Sequence, residues 1–529
     1  PFDVVVGFGE NQQAGVTGGK ITLPVPADAT FVDIAVELIA DGVDALDGWS
    51  KPLRVPVENP TSAQVAFRLT GRNPTGPEPV HLTMLEVRYV LQGTVCGTAS
   101  RPLVIGQQTA VDPPISESFG VPWLAQPVAA SAINLKADEL VPDLTIELVK
   151  TDRNTATGRY ICRLYSPHDI VADMGPHDVD LSADAKSFAK EIVDDMRLYS
   201  GKPLIDNALI SFGGLVAQKL PLAALDALRE VAQKVAPKPP TVLIVSADQY
   251  VPWELAMIDP PLDASRPPYL GAQAIVGRWL REGGTSPDRV SAPLPSAAPV
   301  SIRMEKPPLQ PPTHIDVRNM AVMGGFYGPN SGLRNLPKAE DEAEKLGRDC
   351  PARLLAASPK EMKQLLDDNF KPVGSMGAVH FAGHGDFDPT RPDSSVLFLN
   401  DGTPLKSILF RSAKYGGEHQ PLIFLNACMV GIGGELLGNM GGFPGNCLSG
   451  GFGGMLGALW EVDDTVAHDF AIEFWQRALP TNGKNPEPIG AILRDLRAKY
   501  NANSNAPVTT YLAYVYYGHP RLTLHRIPL

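Results

Sequence analysis

The stretch "AVHFAGHGDF", residues 378–387, ends an apolar run in Gly383-His384-Gly385-Asp386, and "PLIFLNAC", residues 421–428, ends another in Cys428. An imidazole and a thiol are the side chains of an acyl-transfer site, because a cysteine becomes a useful nucleophile when a base or cation beside it promotes the thiolate. The glycines flanking His384 let backbone approach a substrate closely, and their N–H groups suit an oxyanion. A single strand histidine is ordinarily structural and a single cysteine an ordinary small hydrophobe. The pair, each member just beyond an apolar run, is what points to chemistry. His380, inside the first run, reads as packing. Asp386 reads as a solvated loop carboxylate rather than an orienter of His384. Cys447, in "GNCLSGG", has no strand behind it, and Cys96, Cys162 and Cys350 read as core or surface residues.

The surrounding elements decide whether the pair can meet. From about residue 315, strand-like and helix-like segments alternate. "VRNMAVMGGF" reads as strand, "PKAEDEAEKLGRDC" as helix, "ARLLAAS" as strand and "SPKEMKQLLDDNF" as helix. Ser358, Pro359 and Glu361 supply the start signals of that second helix. "GAVHFAGHG", "PLIFLNAC" and "GGMLGALWEV" are further strands, and "VAHDFAIEFWQRAL" is a further helix. Such an order predicts an α/β fold with a mostly parallel sheet flanked by helices. Ligands bind beyond the C-terminal strand ends of such sheets, so neighbouring strands would deliver His384 and Cys428 over one edge.

The rest of the chain divides by composition. Residues 1–112 hold short alternating runs such as "FVDIAVELI" and "AQVAFRLTG", separated by Gly, Pro, Asn and Asp, and predict an all-β, sandwich-like domain. Residues 113–143 read as a linker rich in Pro and Ser. Residues 144–285 contain strand-like runs, two helices at about 183–199 and 220–235, and the buried-strand run "PTVLIVSAD". Residues 286–314 form a second Pro-rich stretch, expected to be an exposed, mobile loop. Twelve glycines between 431 and 457 lack the GK[ST] of a phosphate cradle and predict a mobile segment beside Cys428.

A net charge of -12 argues against a nucleic-acid backbone as partner. No apolar run approaches the roughly 20 residues of a membrane helix, so no membrane association is expected. Five separated cysteines without CxxC spacing argue against a zinc site or a disulfide framework, for a reducing, cytoplasmic location, and for no metal or other cofactor.

"HFAGHG" followed by "LNAC", with "VPWELAMI" upstream and "YLAYVYYGHPRLTL" near the end, resembles the CHAT domain, a group of caspase-like cysteine peptidases related to separases, gingipains and caspases. The resemblance covers about 144–529, with a non-catalytic part at 144–285 and a catalytic part at 315–529. It implies a caspase-like fold, a Cys428 nucleophile, a catalytic His384, and an oxyanion hole from the N–H groups of Gly385 and Cys428. "ALWEVDDTVAHDF" resembles the family segment lining the S1 pocket, with Trp460 as wall and Asp463 or Asp464 as partners for a basic P1 side chain. The same acids also suit the start of the helix that follows. The resemblance further implies a dedicated protein substrate and a gated activity in a bacterial stress or antiviral defence module. A protein activator at the β domain and self-processing at Arg289 or Arg303 are the accompanying expectations. A partner-binding pseudoprotease scaffold is the alternative.

Overall fold

Runs of Val, Ile, Leu, Met and Ala that are apolar on both faces must be covered on both faces, and the second half of the chain is organised around that requirement. The computed structural model describes all residues except 10–12, 15–16, 19, 27, 41, 73–79, 107–126, 129–131, 138–139, 151–157, 182–184, 247–249, 281–309, 351, 370–373, 387–394, 416–418, 432, 437–438, 482, 502–507 and 528–529. The chain divides into two units, one containing Pro1–Val141 and the other Pro142–Gly283 and Pro311–Leu529.

The second unit is built on one eleven-stranded sheet. Its strands are β1 (Leu144–Lys150), β2 (Arg159–Tyr165), β3 (His177–Asp180), β4 (Thr241–Ser246), β5 (Ile275–Leu280), β6 (Met320–Gly324), β7 (Ala352–Ala356), β8 (Ala378–Ala382), β9 (Leu422–Asn426), β10 (Gly454–Ala458) and β11 (Tyr514–Tyr517). They lie in the order β3-β2-β1-β4-β5-β11-β10-β9-β8-β6-β7. Neighbours run parallel except at β1–β2, β2–β3 and β10–β11. Strands β6, β8, β9 and β10 are buried at every position, as two-sided coverage requires.

The helices of more than one turn are α1 (Ala185–Tyr199), α2 (Leu204–Gln218), α3 (Leu222–Val235), α4 (Pro337–Asp349), α5 (Pro359–Leu366), α6 (Gly442–Ser449), α7 (Asp464–Ala478) and α8 (Ile489–Arg497). Local chemistry sets their starts. Ser358 Oγ accepts the Glu361 N–H and donates to the Glu361 carboxylate, with Pro359 in the first turn of α5. Helix α2 has no counterpart among the expected helices, because Gly213-Gly214 in its middle argues against helix. Gly213 is required there by packing: a Cβ would lie 2.8 Å from the Leu255 carbonyl oxygen.

The glycine-rich segment after Cys428 departs from the expected mobile loop. Gly442–Ser449 is helix α6, preceded by strands Gly433–Leu436 and Asn439–Gly441. Phe443 is fully buried and packs its ring edge-on against Phe410. The glycines here serve close backbone approach rather than motion. A Cβ at Gly431 would lie 2.7 Å from the Gly457 carbonyl, and one at Gly453 would lie 2.6 Å from that of Gln420.

In the first unit, an antiparallel five-stranded sheet pairs Val80–Leu91 with Thr94–Gly106 and Phe31–Ile39, and a three-stranded sheet centres on Gln64–Gly71. Part of the expected 113–143 linker is strand: Ala132–Ala137 pairs in parallel with Lys20–Val25, Ile133 opposite Ile21. The short alternation "AINLKA" is masked in sequence by its Pro- and Ser-rich surroundings. The Pro-rich stretch up to residue 309, with Arg289 and Arg303, lies outside the described residues.

Candidate active site

β8 and β9 are adjacent and parallel, and their last residues, Ala382 and Asn426, face each other in register. His384 and Cys428 each stand two residues beyond that pair. The chains stay together past the strand ends. The Gly383 N–H donates to the Asn426 carbonyl at 3.2 Å, and a Cβ on Gly385 would sit 2.8 Å from the Cys428 carbonyl oxygen. Gly385 therefore answers to packing as well as to any chemistry: a side chain there would push the histidine and cysteine segments apart. Met429, directly after Cys428, has φ of 58°, a left-handed conformation uncommon outside glycine, so the chain turns sharply at the thiol.

The imidazole of His384 is held from two sides. Its Nε2 is 2.7 Å from the carbonyl oxygen of Arg334. A carbonyl only accepts, so Nε2 carries the proton and Nδ1 keeps the lone pair in the neutral ring. The ring lies against Tyr327, centroids 4.9 Å apart, and Tyr327 Oη accepts the His384 N–H while donating to the Phe398 carbonyl. Burial raises the Tyr327 phenol to about 12, so it remains a donor. Gly383 makes room for this tyrosine, since a Cβ there would be 2.6 Å from Tyr327 Oη.

Gly385 begins a two-residue strand paired antiparallel to Val396–Phe398. Because the Phe398 N–H donates to the His384 carbonyl, Gly385 and Leu397 form a non-hydrogen-bonded pair. The ladder thus leaves the Gly385 N–H unused, next to the Cys428 backbone.

The acidic pair separates into two roles. Asp463 is the N-cap of α7, its Oδ1 accepting the N–H groups of Thr465 and Val466, both at 3.0 Å. Asp464 lies 3.5 Å from the guanidinium of Arg334, whose carbonyl holds His384. Trp460 is 1% exposed, and its indole N–H has no partner among the described residues.

The remaining candidates fall away from this edge. His380 is fully buried and bonded to Glu342 and Trp475. Burial pushes the Cys96 and Cys162 thiols up to about 12 and Cys350 to about 11, and it pushes Cys447 well above the usual thiol range. Cys428 is half-buried. Among the described residues, no group of three or more His, Cys, Asp or Glu could hold a metal ion, and no single helix is long and apolar enough to cross a membrane. Asp386 is exposed on the short strand, and the partner given to the His384 ring is a backbone carbonyl instead. Sequence reasoning missed that carbonyl because a carbonyl has no residue signature. Tyr327, set between glycines in "GFYG", did leave one.

A mostly parallel α/β sheet that sets histidine and cysteine past two adjacent strand ends defines a cysteine-peptidase fold. The CHAT domain family matches residues 217–506, and the chain belongs to that family. Among solved structures, the Arg-specific cysteine proteinase gingipain R is similar at 14% identity and TM-score 0.36, over 58% of this chain and 69% of that one. The separase of the Saccharomyces cerevisiae separase–securin complex is similar at 11% identity and TM-score 0.39, over 73% of this chain and 30% of its own. No curated protein matches the chain.

Proposed function

We propose that this protein is a cysteine endopeptidase of the CHAT type acting through a Cys428–His384 dyad. The observation carrying this reading is the shared register of β8 and β9, which sets His384 and Cys428 equally far past a paired position, beside a Gly385 N–H that the short ladder leaves unused. The Cys428 thiolate forms a bond to the scissile carbonyl carbon, and the electron pair moves onto oxygen, facing the N–H groups of Gly385 and Cys428. The oxyanion collapses, the C–N bond breaks, and protonated His384 gives its Nδ1 proton to the leaving amine. A water then attacks the acyl-enzyme and loses a proton to His384. The second collapse releases the carboxylic acid and the Cys428 thiolate. The substrate is a dedicated protein, the domain at 1–112 receives an activating partner, and the setting is a bacterial cytoplasmic defence module.

The test uses peptidyl acyloxymethyl ketones and fluorogenic peptides of varied P1 on wild type and Cys428→Ala, with intact mass recording the adduct. Wild type should gain one inhibitor mass and lose its peptidase activity, whereas Cys428→Ala should show neither adduct nor cleavage. Equal, measurable cleavage by both proteins sinks the reading.

Arg334 bears on the S1 pocket. Its side chain is 80% exposed, so its pair with Asp464 contributes little, about 0.2–1 kcal/mol. A basic P1 side chain must still displace it. In Arg334→Ala the backbone carbonyl on His384 survives, and kcat/KM for P1 Arg relative to a neutral P1 should rise by roughly 1.5- to 5-fold. An unchanged ratio would show that Asp464 does not contact P1.

A further inference from the structure

Behind the sheet edge, on the side chains preceding the dyad, lies a closed polar network that the reaction itself does not use. Its centre is Glu342 on α4, only 2% exposed. Glu342 Oε1 is 2.6 Å from His380 Nε2, and Asn426 Nδ2 donates to Oε1 at 2.8 Å and to Oε2 at 3.0 Å. The Trp475 indole N–H donates to His380 Nδ1 at 3.0 Å. Indole only donates, so Nδ1 is the acceptor and His380 presents its Nε2 proton to Glu342. On the far side, Tyr514 Oη donates to Asn426 Oδ1 at 2.6 Å. Burial, and the nearby Glu342 and Cys428, hold the Tyr514 phenol well above its usual range, which keeps it a donor. Every bond has a defined direction, and the chains that start at Trp475 and at Tyr514 both end on one carboxylate.

The elements joined by this network are those that carry the candidate site. His380 lies on β8, four residues before His384. Asn426 ends β9, two residues before Cys428, and its main-chain carbonyl takes the Gly383 N–H. Helix α4 begins three residues after Arg334, whose carbonyl holds the His384 ring. Helix α7 supplies Trp475 and the Ala467 carbonyl, which accepts from Asn426 at 3.3 Å, and its first turn holds Asp464. Packing alone would not require this arrangement, because a sheet centre of Val, Phe and Leu tolerates small shifts along a strand. Directional bonds fix register and distance in a way that apolar contacts do not.

We infer that Glu342 is a positioning residue, whose buried carboxylate sets the placement of His384 against Cys428 through His380 and Asn426. This rests on the peptidase reading. In Glu342→Gln, shape is preserved but one acceptor oxygen becomes an NH2 donor facing donors already in place. The strand ends must shift or leave a buried donor unpaired.

The experiment labels the full-length chain at a temperature well below unfolding. It compares labelling of Cys428 by iodoacetamide with labelling by the most reactive of the peptidyl acyloxymethyl ketones, both read by mass spectrometry. Iodoacetamide reports the bare thiol, whereas the ketone needs His384 and the oxyanion donors in place. The expected result is a ketone rate about 10- to 100-fold lower in Glu342→Gln with iodoacetamide labelling little changed. Tyr514→Phe, which keeps the ring stacked on Phe470, should give a smaller fall in the same direction. It also stands in if Glu342→Gln does not fold. A lowered melting temperature with ketone labelling at the wild-type rate overturns the positioning role. If Cys428→Ala takes the ketone as fast as wild type, the peptidase reading itself fails and the positioning role falls with it.

Discussion

Replacing His384 with glutamine is expected to lower kcat/KM by about a thousandfold, mostly in kcat. Glutamine is near in size, and its amide N–H could still reach the Arg334 carbonyl that holds the imidazole at 2.7 Å. What it lacks is a ring nitrogen that can accept and return a proton. The leaving amine of a peptide must be protonated to depart, so acylation should stall. Peptide binding relies on backbone and pocket contacts, and KM should change little. Thioester or activated-ester substrates, whose leaving groups need no proton, should be hurt less than amides. That contrast separates loss of an acid from collapse of the site. Asp386→Asn is the companion variant: if the Arg334 carbonyl alone orients the ring, its kinetics should stay within a few-fold of wild type. A large drop for Asp386→Asn together with a small one for His384→Gln would mean that the acid has been assigned to the wrong residue.

The two strand ends were legible in the sequence because parallel-sheet geometry maps strand ends onto one edge. "HFAGHG" and "LIFLNAC" carry both the apolar run and the reactive residue. The mostly parallel sheet flanked by helices was legible for the same reason, whereas the joining of eleven strands from both sections into one sheet was not. What escaped were features held by backbone or by context. The Arg334 carbonyl has no side-chain signature. His380 read as packing, and it is buried, but its hydrogen bonds to Glu342 and Trp475 depend on residues 38 and 95 positions away. Glycine misled twice. Gly213 sits inside a helix where the Leu255 carbonyl passes close, and part of the run after Cys428 is a buried helix flanked by Gly431, Gly450 and Gly453, which clear room for neighbouring carbonyls. In both places tertiary approach, invisible locally, outweighed glycine's intrinsic preference for turns.

The second large effect concerns stability, and it gives a physical role to "VPWELAMI" and "YLGAQAIVGRWL". Glu254, 3% exposed, makes a two-bond ion pair with Arg278 on β5, one bond being 2.8 Å from Arg278 Nε to Oε1. Arg497 on α8, 1% exposed, lies within reach of its charge and donates to the carbonyls of Gly271 and Tyr514. One carboxylate therefore serves two buried guanidinium groups. Burial would raise the Glu254 carboxyl, but Arg278 and then Arg497 outweigh it and hold it below the usual glutamate range. Burial likewise lowers Arg497 to about 10, against the pull of Glu254. Glu254→Gln removes the carboxylate that faces both buried cations, and a loss of about 3–5 kcal/mol is expected. A surface pair such as Lys363 with Asp367 should cost far less when broken, because solvent screens it. The pH dependence has a definite sign. A carboxylate whose folded pKa is depressed contributes stability that is complete above its unfolded pKa of about 4.3 and is lost as pH falls through the lower folded value. Urea unfolding at pH 7 and at successively lower pH should show the gap between wild type and Glu254→Gln closing as the medium becomes acidic. A constant gap would mean that the glutamine perturbs packing and not charge. The same triad joins the Trp253–Leu255 turn and β5 to α8 and the Tyr514 carbonyl, while the Tyr514 hydroxyl bonds Asn426 two residues before Cys428. Loss of the buried charge should therefore also slow ketone labelling of Cys428, in a variant altered far from the dyad in sequence.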